Sequence, residues 1–136
     1  MSCMSANTDQ RGEEGVTNMD PSHAEPLLRQ LYVNFNTRAI DALLDNLAVD
    51  VVWANGMEGG HVHGRDAVRD YWTRQFSQIQ SSVTPREIEL TDDGRVRVEV
   101  HQVVHSADGT QLLADTTVHH LFTFDNAGMI ARFDIE

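Results

Sequence analysis

The sequence contains no lysine, only one cysteine and no long run of apolar residues. An internal disulfide is excluded, because Cys3 has no second thiol to pair with. No segment approaches the roughly 20 consecutive apolar residues of a transmembrane helix, and the N-terminus lacks the charged, then apolar pattern of a secretory signal. We therefore expect a cytoplasmic protein without a membrane segment.

Positive charge is also scarce. Ten arginines stand against 21 acidic residues, which gives a formal net charge of −11. A surface of this sign repels the phosphates of nucleic acids and anionic membranes. We therefore expect neither nucleic acid nor a membrane as a partner.

The length of 136 residues suits one domain. Residues 1–20 are rich in Ser, Asn, Asp, Glu and Gly and offer little apolar surface to bury, so we expect them to form a disordered tail. The folded domain is expected to span residues 21–136.

Apolar residues at helical spacing predict three helices in the first half of the domain. The first helix begins near Pro21, the second follows an interruption at Asn36-Thr37, and the third spans Gly64 to Ile79. Between the second and third helices, Val49 to Ala54 is predicted to form a short buried strand.

From Val83 onward the apolar period is two, which indicates strands. The predicted strands are "TPREIEL", "VRVEVHQVVH", "LLADTTVHHLFTF" and "MIARFDIE", and the turns between them are "DDGR", "SADGT" and "DNAG". Consecutive hairpins form an antiparallel meander. Because helices come first and strands later, the fold class is α+β.

Helices can cover only one face of such a sheet, and three helices on a long curved sheet leave a cone with an open end, which is a natural pocket. By alternation, His120 shares a face with Val118, Phe122 and Phe124 and should point into the cone. We expect His101 to point into it from the neighbouring strand. The opposite, valine-rich face of that strand is either core or a dimer interface, and the sequence leaves both open.

The stretch "VWANGMEGGHVHGRDAVRDY" joins the short strand to the third helix and is predicted to form the pocket rim. Trp53 and Asn55 should face the cone. His61 and His63 have the spacing of a metal-binding pair, but a closed site would need more ligands, so we expect no metal.

Three segments carry a family resemblance: "FNTRAIDALLDNLAVDVVWANG", "GHVHGRDAVRDYWTRQF" and "HLFTFDNAGMIARFDIE". In this order they resemble a nuclear transport factor 2-like domain of the SnoaL-like or ketosteroid-isomerase-like kind, in a bacterial subgroup. The resemblance covers about residues 26–136. It implies a cystatin-like fold, a cone-shaped, mostly antiparallel sheet wrapped by three N-terminal helices, with a deep apolar pocket and a homodimer packed through the sheet.

The resemblance places the catalytic base of the isomerases on Asn55, their oxyanion-binding Asp on His120, and their phenol on Leu31, beside Tyr32. An amide cannot abstract a proton at neutral pH. We therefore exclude steroid isomerisation by that mechanism. Dehydratases of this fold, which use two pocket histidines and a tyrosine, are the nearer precedent that the resemblance offers.

The predicted catalytic residues are His120, His101 and Asn55, because imidazoles titrate near neutrality and serve as general acids and bases. Glu58 remains an alternative base, displaced by three residues from Asn55. No cofactor is expected. The predicted substrate-binding residues are Tyr32, Trp53, Met57, Glu58, Trp72, Phe76, Val118, Phe122 and Phe133.

Two functions remain open. The first is a cofactor-free lyase, isomerase or cyclase that acts on a small, largely apolar or aromatic molecule. The second is a non-catalytic small-molecule-binding protein of the same fold. In both cases we expect a homodimer through the sheet face opposite the helices, because both faces of the late strands are rich in β-branched residues.

Overall fold

A computed structural model describes residues 21–136 of the chain, so the predicted disordered tail and Cys3 lie outside the described residues. The helices and strands are, in chain order, α1 Pro21–Asn36, α2 Ile40–Leu44, β1 Leu47–Ala54, β2 His61–His63, α3 Arg65–Gln78, β3 Ile79–Leu90, β4 Val96–Ser106, β5 Leu112–Phe124 and β6 Ile130–Ile135. Helices dominate the first half and strands the second, which confirms the α+β class.

The six strands form one curved, unclosed sheet in the order β2-β1-β6-β5-β4-β3. Strands β3 to β6 pair antiparallel with their neighbours in sequence, as the predicted meander requires. The β3–β4 and β5–β6 turns contain Gly94 and Gly128 at φ angles of 86° and 80°, a conformation that glycine adopts without strain. Strand β1 pairs in parallel with β6, and the short strand β2 pairs antiparallel with β1 at the edge of the sheet.

Three boundaries differ from the sequence prediction. Helix α2 has only five residues, and Leu47, which continues its helical spacing of apolar residues, is instead the first residue of β1. The rim segment contains a strand, β2, that the sequence did not predict. It has only three residues, which are too few to show alternation. Strand β3 begins at Ile79, directly after α3, so the chain passes from helix to sheet without a loop.

The inner face of the sheet packs against the three helices and forms the core. Val98 and Val100 have no exposed surface, and Val96 has 1%. They belong to one cluster with buried residues of α1, α2 and α3. The valine-rich face of β4, which the sequence left open between core and dimer interface, is therefore core.

The outer face of the sheet carries charged and polar side chains. Arg97 bonds to Glu136 and Glu89, and His119 Nε2 lies 3.9 Å from Glu99 Oε1. In residues 21–136, no helix has the length and apolarity that a membrane crossing requires.

Candidate functional site

A cavity of about 310 Å³ lies between the inner face of the sheet and the helices. Its size falls at the lower end of the range for small-molecule sites. Met57 and Ile135, which are 36% and 42% exposed, mark its mouth. The wall is mainly aromatic and aliphatic and includes Leu31, Tyr32, Phe35, Trp53, Tyr71, Trp72, Val83, Val104, His120, Phe122 and Phe133.

One end of the cavity holds a hydrogen-bonded pair, Tyr32 and His120, which we call the imidazole end. Tyr32 comes from α1 and His120 from β5. The Tyr32 hydroxyl oxygen lies 2.7 Å from His120 Nδ1, and the two rings are nearly parallel, with an interplanar angle of 11°. Both side chains are buried, at 5% and 7% exposure. The pair therefore holds the imidazole in one orientation.

Burial keeps both members of the pair neutral. It lowers the pKa of His120 to about 3, with a smaller contribution from His119, and it raises the pKa of Tyr32 well above its usual value. Nδ1 is the one hydrogen-bond partner of the Tyr32 hydroxyl among the described residues. We therefore assign Tyr32 as the donor to Nδ1, which leaves the ring proton on Nε2, where it is available to a ligand.

Aromatic rings surround the imidazole end. Trp53 stacks on Phe133 at 4.1 Å between ring centroids, and Trp72 meets Trp53 edge to face at 5.1 Å. Phe133 also lies 4.8 Å from the His120 ring. The strand register explains this cluster, because Trp53, Phe133 and Phe122 are direct neighbours across three strands and share the inner face.

The opposite part of the wall contains three polar side chains, Gln75, Ser81 and Gln102, which we call the amide end. Gln75 is 8% exposed, and Ser81 is 1% exposed. Gln102 Nε2 lies 3.5 Å from Ser81 Oγ, which is a long and therefore weak hydrogen bond. The Gln75 amide oxygen is buried without a hydrogen-bond partner.

The described part of the cavity wall includes no carboxylate and no arginine. Its polar groups are hydroxyls, amides and one neutral imidazole. At the mouth, the Tyr71 hydroxyl accepts a hydrogen bond from the Gly56 backbone amide at 3.0 Å, and burial raises the Tyr71 pKa. The cavity therefore suits an uncharged, largely apolar molecule with few hydrogen-bonding groups.

Seven of the predicted site residues line this cavity. They are His120, Tyr32, Trp53, Met57, Trp72, Phe122 and Phe133. The inward direction of His120 follows from its apolar neighbours on the same face, which was the basis of its prediction. The roles assigned to these residues stay predictions.

The prediction that His101 faces the cavity is wrong. His101 pairs with Thr117 across the β4–β5 ladder, whereas His120 pairs with Val98. Directly paired residues share a face, so the inner face of β4 carries the even-numbered residues, and His101 points outward. There its Nε2 lies 2.7 Å from Asp115 Oδ1.

Asn55 also lies outside the cavity wall. Strand β1 ends at Ala54, so the alternation that we extended to Asn55 stops one residue earlier. The Asn55 side-chain oxygen accepts hydrogen bonds from the backbone amides of Met57 and Glu58, at 3.0 and 2.9 Å, and so shapes the β1–β2 turn. It lines an adjoining surface depression, which shares Ala54, Gly56, Gln102 and Ile135 with the cavity.

Glu58, Phe76 and Val118 are the other predicted site residues outside the main cavity. The Glu58 side chain is 67% exposed and lies 3.6 Å from Arg74, because the turn carries it away from the mouth. Phe76 packs on Phe35, beneath the Arg38 guanidinium. Val118 is half-buried and lines the surface depression beside Asn55.

Sequence reasoning missed Tyr71 and the three residues of the amide end. Gln102 lies in line with Val96, Val98 and Val100, so the valine alternation was the signal that this set faces inward. Gln75 and Tyr71 lie on the buried face of α3 with Val68 and Trp72, and so have the spacing of core residues. Both side chains line the cavity because this face of α3 forms part of its wall.

One of the two rim histidines, His61, is bonded to a carboxylate of β6. His61 Nε2 lies 2.8 Å from Asp134 Oδ1, and Arg132 binds the same carboxylate. Within residues 21–136, no group of three or more His, Cys, Asp or Glu side chains is arranged to hold a metal ion.

Solved structures share the fold. SalBIII, an epoxide hydrolase/cyclase-like enzyme with a role in pyran ring formation in polyether salinomycin, superposes with a TM-score of 0.72 at 16% identity, over 85% of this chain and 91% of that one. A candidate polyketide cyclase from Xanthomonas campestris has a TM-score of 0.69 at 26% identity, over 84% and 89% of the two chains. An NTF2-like protein of unknown function from Burkholderia pseudomallei has a TM-score of 0.70 at 26% identity, over 82% and 87%.

A search of curated proteins found no significant match. The model of one protein family, described as the SnoaL-like domain, matches residues 28–133. That range includes every helix and strand from α1 to β6 in whole or in part, together with both ends of the cavity. The chain therefore belongs to the SnoaL-like domain family of the nuclear transport factor 2-like superfamily.

Proposed function

We propose that the protein binds a small, uncharged, largely apolar molecule in this cavity and acts on it as a cofactor-free cyclase or isomerase. The observation that carries the proposal is the neutral Tyr32–His120 pair inside an aromatic enclosure. The candidate polyketide cyclase from Xanthomonas campestris, at 26% identity, supports this class of chemistry over a lyase.

His120 would act as a hydrogen-bond donor rather than as a base. With its pKa near 3, the imidazole is a weak base at neutral pH, and Tyr32 occupies its Nδ1. The Nε2 proton is left to bind a carbonyl or ether oxygen of the substrate. A fixed donor in a dry cavity stabilises negative charge that develops on such an oxygen during reaction.

Binding can be measured with two molecules of the same shape. 4-Acetylbiphenyl carries a carbonyl oxygen where 4-isopropenylbiphenyl carries a methylene group. Because both tryptophans of the chain, Trp53 and Trp72, line the cavity, their fluorescence reports occupancy. We expect the carbonyl compound to bind about five- to tenfold more tightly, which is the net contribution of one hydrogen bond.

His120→Phe keeps an aromatic ring but removes the donor, so it should abolish this preference. His119→Ala is the matched control, since the neighbouring His119 side chain is on the outer face near Glu99. Equal affinities of the two compounds for the wild-type protein would contradict the proposed role of His120.

Catalytic competence can be tested with the same carbonyl compound. A polarised carbonyl makes its neighbouring C–H groups more acidic, so solvent D2O or OD− should remove an acetyl proton, and D2O should return a deuteron, faster in the presence of the protein. Nuclear magnetic resonance follows this exchange. His120→Ala should reduce the protein-dependent rate by about a hundredfold, the scale for loss of one fixed donor to an oxygen that becomes negatively charged.

A non-catalytic binding protein is the second candidate. It is favoured by the described cavity wall, which offers no carboxylate to serve as a base. This function predicts tight binding of the carbonyl compound without any protein-dependent proton exchange. Measurement of the protein-dependent proton exchange therefore distinguishes the two functions.

We also propose a homodimer through the outer face of the sheet. Supporting this, Leu112 is 59% exposed, and it pairs in the ladder with His105 on that face. Sedimentation at micromolar concentration should give twice the 15.3 kDa mass of the chain. A monomer under these conditions would remove the proposal.

A further inference from the structure

The amide end contains a polar group whose hydrogen bonding is incomplete. Gln75 lines the cavity with 8% of its surface exposed, and its amide oxygen has no hydrogen-bond partner. Among the described side chains it is the one buried polar atom in this state. Buried polar groups are almost always paired in folded proteins, so an unpaired oxygen on a side chain that lines a cavity points to a partner from outside the chain.

Two further polar side chains lie in the same part of the wall. Ser81 follows Gln75 by six residues, just past the point where α3 passes into β3. Ser81 pairs with Val104, and Gln102 with Val83, so both lie on the inner face in adjacent rows of the sheet. Their mutual hydrogen bond is long, at 3.5 Å, which leaves both groups able to accept another partner.

The amide end is well separated from the imidazole end. His120 pairs with Val98, and Gln102 lies four residues farther along β4. At a rise of about 3.3 Å per residue, this places the two levels about 13 Å apart along the strand. The cavity wall also includes the apolar side chains Leu31, Phe35 and Val83.

We propose that the amide end is a hydroxyl-binding subsite, and that the ligand is an elongated, uncharged molecule with an oxygen at each end. This inference rests on the proposed function for the imidazole end, where the other oxygen would bind. A hydroxyl fits because it both donates and accepts, and can therefore pair with either half of the Gln75 amide and with Ser81. An anionic group fits poorly, since the described wall supplies no arginine to neutralise it.

The test uses rod-shaped biphenyl compounds that differ only at the far end. 4-Acetyl-4′-hydroxybiphenyl carries a hydroxyl where 4-acetyl-4′-methylbiphenyl carries a methyl group. Titration followed by tryptophan fluorescence should show about tenfold tighter binding of the hydroxyl compound to the wild-type protein, the scale of one good hydrogen bond.

Gln75→Leu should abolish this preference while leaving the affinity for the methyl compound unchanged or higher. Gln75→Met provides a second variant of similar volume if the leucine disturbs packing. Gln78→Leu is the matched control, because Gln78 lies on the same helix but is exposed. Equal binding of the two compounds to the wild-type protein, or a preference that survives in both Gln75 variants, would overturn the subsite.

The outcome can be separated from that of the proposed function. The preference for a carbonyl over an isopropenyl group reports the imidazole end and depends on His120. The preference for a hydroxyl over a methyl group reports the amide end and depends on Gln75. If the wild-type protein shows only the hydroxyl preference, the proposed function is rejected and the subsite is kept. If it shows only the carbonyl preference, the subsite is rejected and the proposed function is kept.

Discussion

The two faces of the sheet place histidines in opposite situations. On the inner face, His120 is 7% exposed, is bonded to the buried Tyr32, and has its pKa lowered to about 3 by burial. On the outer face, one strand away, His101 is only half-buried and bonds to Asp115, whose side chain is 55% exposed. The same residue type thus supplies a fixed neutral donor on one face and a surface hydrogen bond to a carboxylate on the other.

This difference arises from the direction in which each side chain leaves its strand. A step of one residue along a strand moves a side chain to the other face. The environment of that face then sets the chemistry, because burial among aromatic rings disfavours the charged imidazole, whereas water and a carboxylate tolerate it. Substitutions on the two faces should therefore change the free energy of unfolding by very different amounts, even at neighbouring positions.

The largest difference is expected between Phe122 and Thr123, which are adjacent in β5 and point to opposite faces. Phe122 is 1% exposed and contacts Tyr32, Trp53 and Phe133. Phe122→Ala should lower the free energy of unfolding by about 3–5 kcal/mol, the usual cost of removing a buried aromatic ring. Thr123→Ala should change it by about 0.5 kcal/mol or less. Urea denaturation measures both, and similar losses would contradict the assignment of the faces.

The antiparallel meander could be predicted from the sequence because its signals are local. Alternation marks each strand, and glycine-containing turns such as "DDGR" separate them. The inward direction of His120 could also be predicted, since Phe122 and Phe124 on the same face would not both be left in water. These features depend on residues within a few positions of one another.

Alternation alone does not decide which face of β4 points toward the cavity. Alternation divides the strand into two sets, and chemistry suggested that the set with His101 should face the cavity. The buried valines show that hydrophobic burial decides, since Val98 and Val100 outweigh one histidine. A pattern of three valines was therefore a stronger signal than a histidine with a plausible role.

Two features of the site were beyond local reasoning. Asn55 begins the β1–β2 turn, and its side-chain oxygen accepts hydrogen bonds from the backbone amides of that turn instead of facing the cavity. Gln75 is spaced like a core residue of α3, and its unpaired oxygen depends on what surrounds it in three dimensions. Neither property can be read from periodicity.

Burial of His120 should make the stability of the protein depend on pH. The pKa of His120 falls from 6.5 when unfolded to about 3 in the folded protein, so the unfolded chain binds more protons between these values. Stability is therefore complete above pH 6.5 and falls as the pH drops toward 3. Between pH 7 and pH 5, His120 should lower the free energy of unfolding by about 2 kcal/mol.

His120→Gln removes the titrating group and should flatten this part of the stability curve, as measured by urea denaturation at several pH values. The window lies above the range in which carboxyl groups matter, because Ser106 lowers the pKa of Asp108 and Arg132 lowers that of Asp134. Their stabilisation is present above the unfolded pKa and is lost only as the pH falls below it. An unchanged slope in the variant would show that His120 is not buried in a neutral form.

A smaller effect of opposite sign is expected at Gln75. Gln75→Leu replaces a buried amide oxygen that has no partner with an apolar group of similar size. The unliganded protein should become more stable by about 1 kcal/mol, because the penalty for the unpaired atom is removed. Thermal unfolding measures this gain, and the exposed Gln78→Leu should produce little change. A destabilised Gln75→Leu variant would indicate that the amide is already satisfied by bound water.

The smallest effect is expected at the outer-face pair of His101 and Asp115. The two atoms lie 2.7 Å apart, but both side chains are solvent-accessible, at 32% and 55% exposure. Exposed pairs of this kind contribute about 0.2–1 kcal/mol, because water screens their interaction and ordering the side chains costs entropy. A double-mutant cycle of His101→Ala and Asp115→Ala, followed by urea denaturation, measures this coupling. A value that grows with protein concentration would show that a partner chain covers the pair. A coupling of several kcal/mol in a monomer would mean that the outer face is as buried as the inner one.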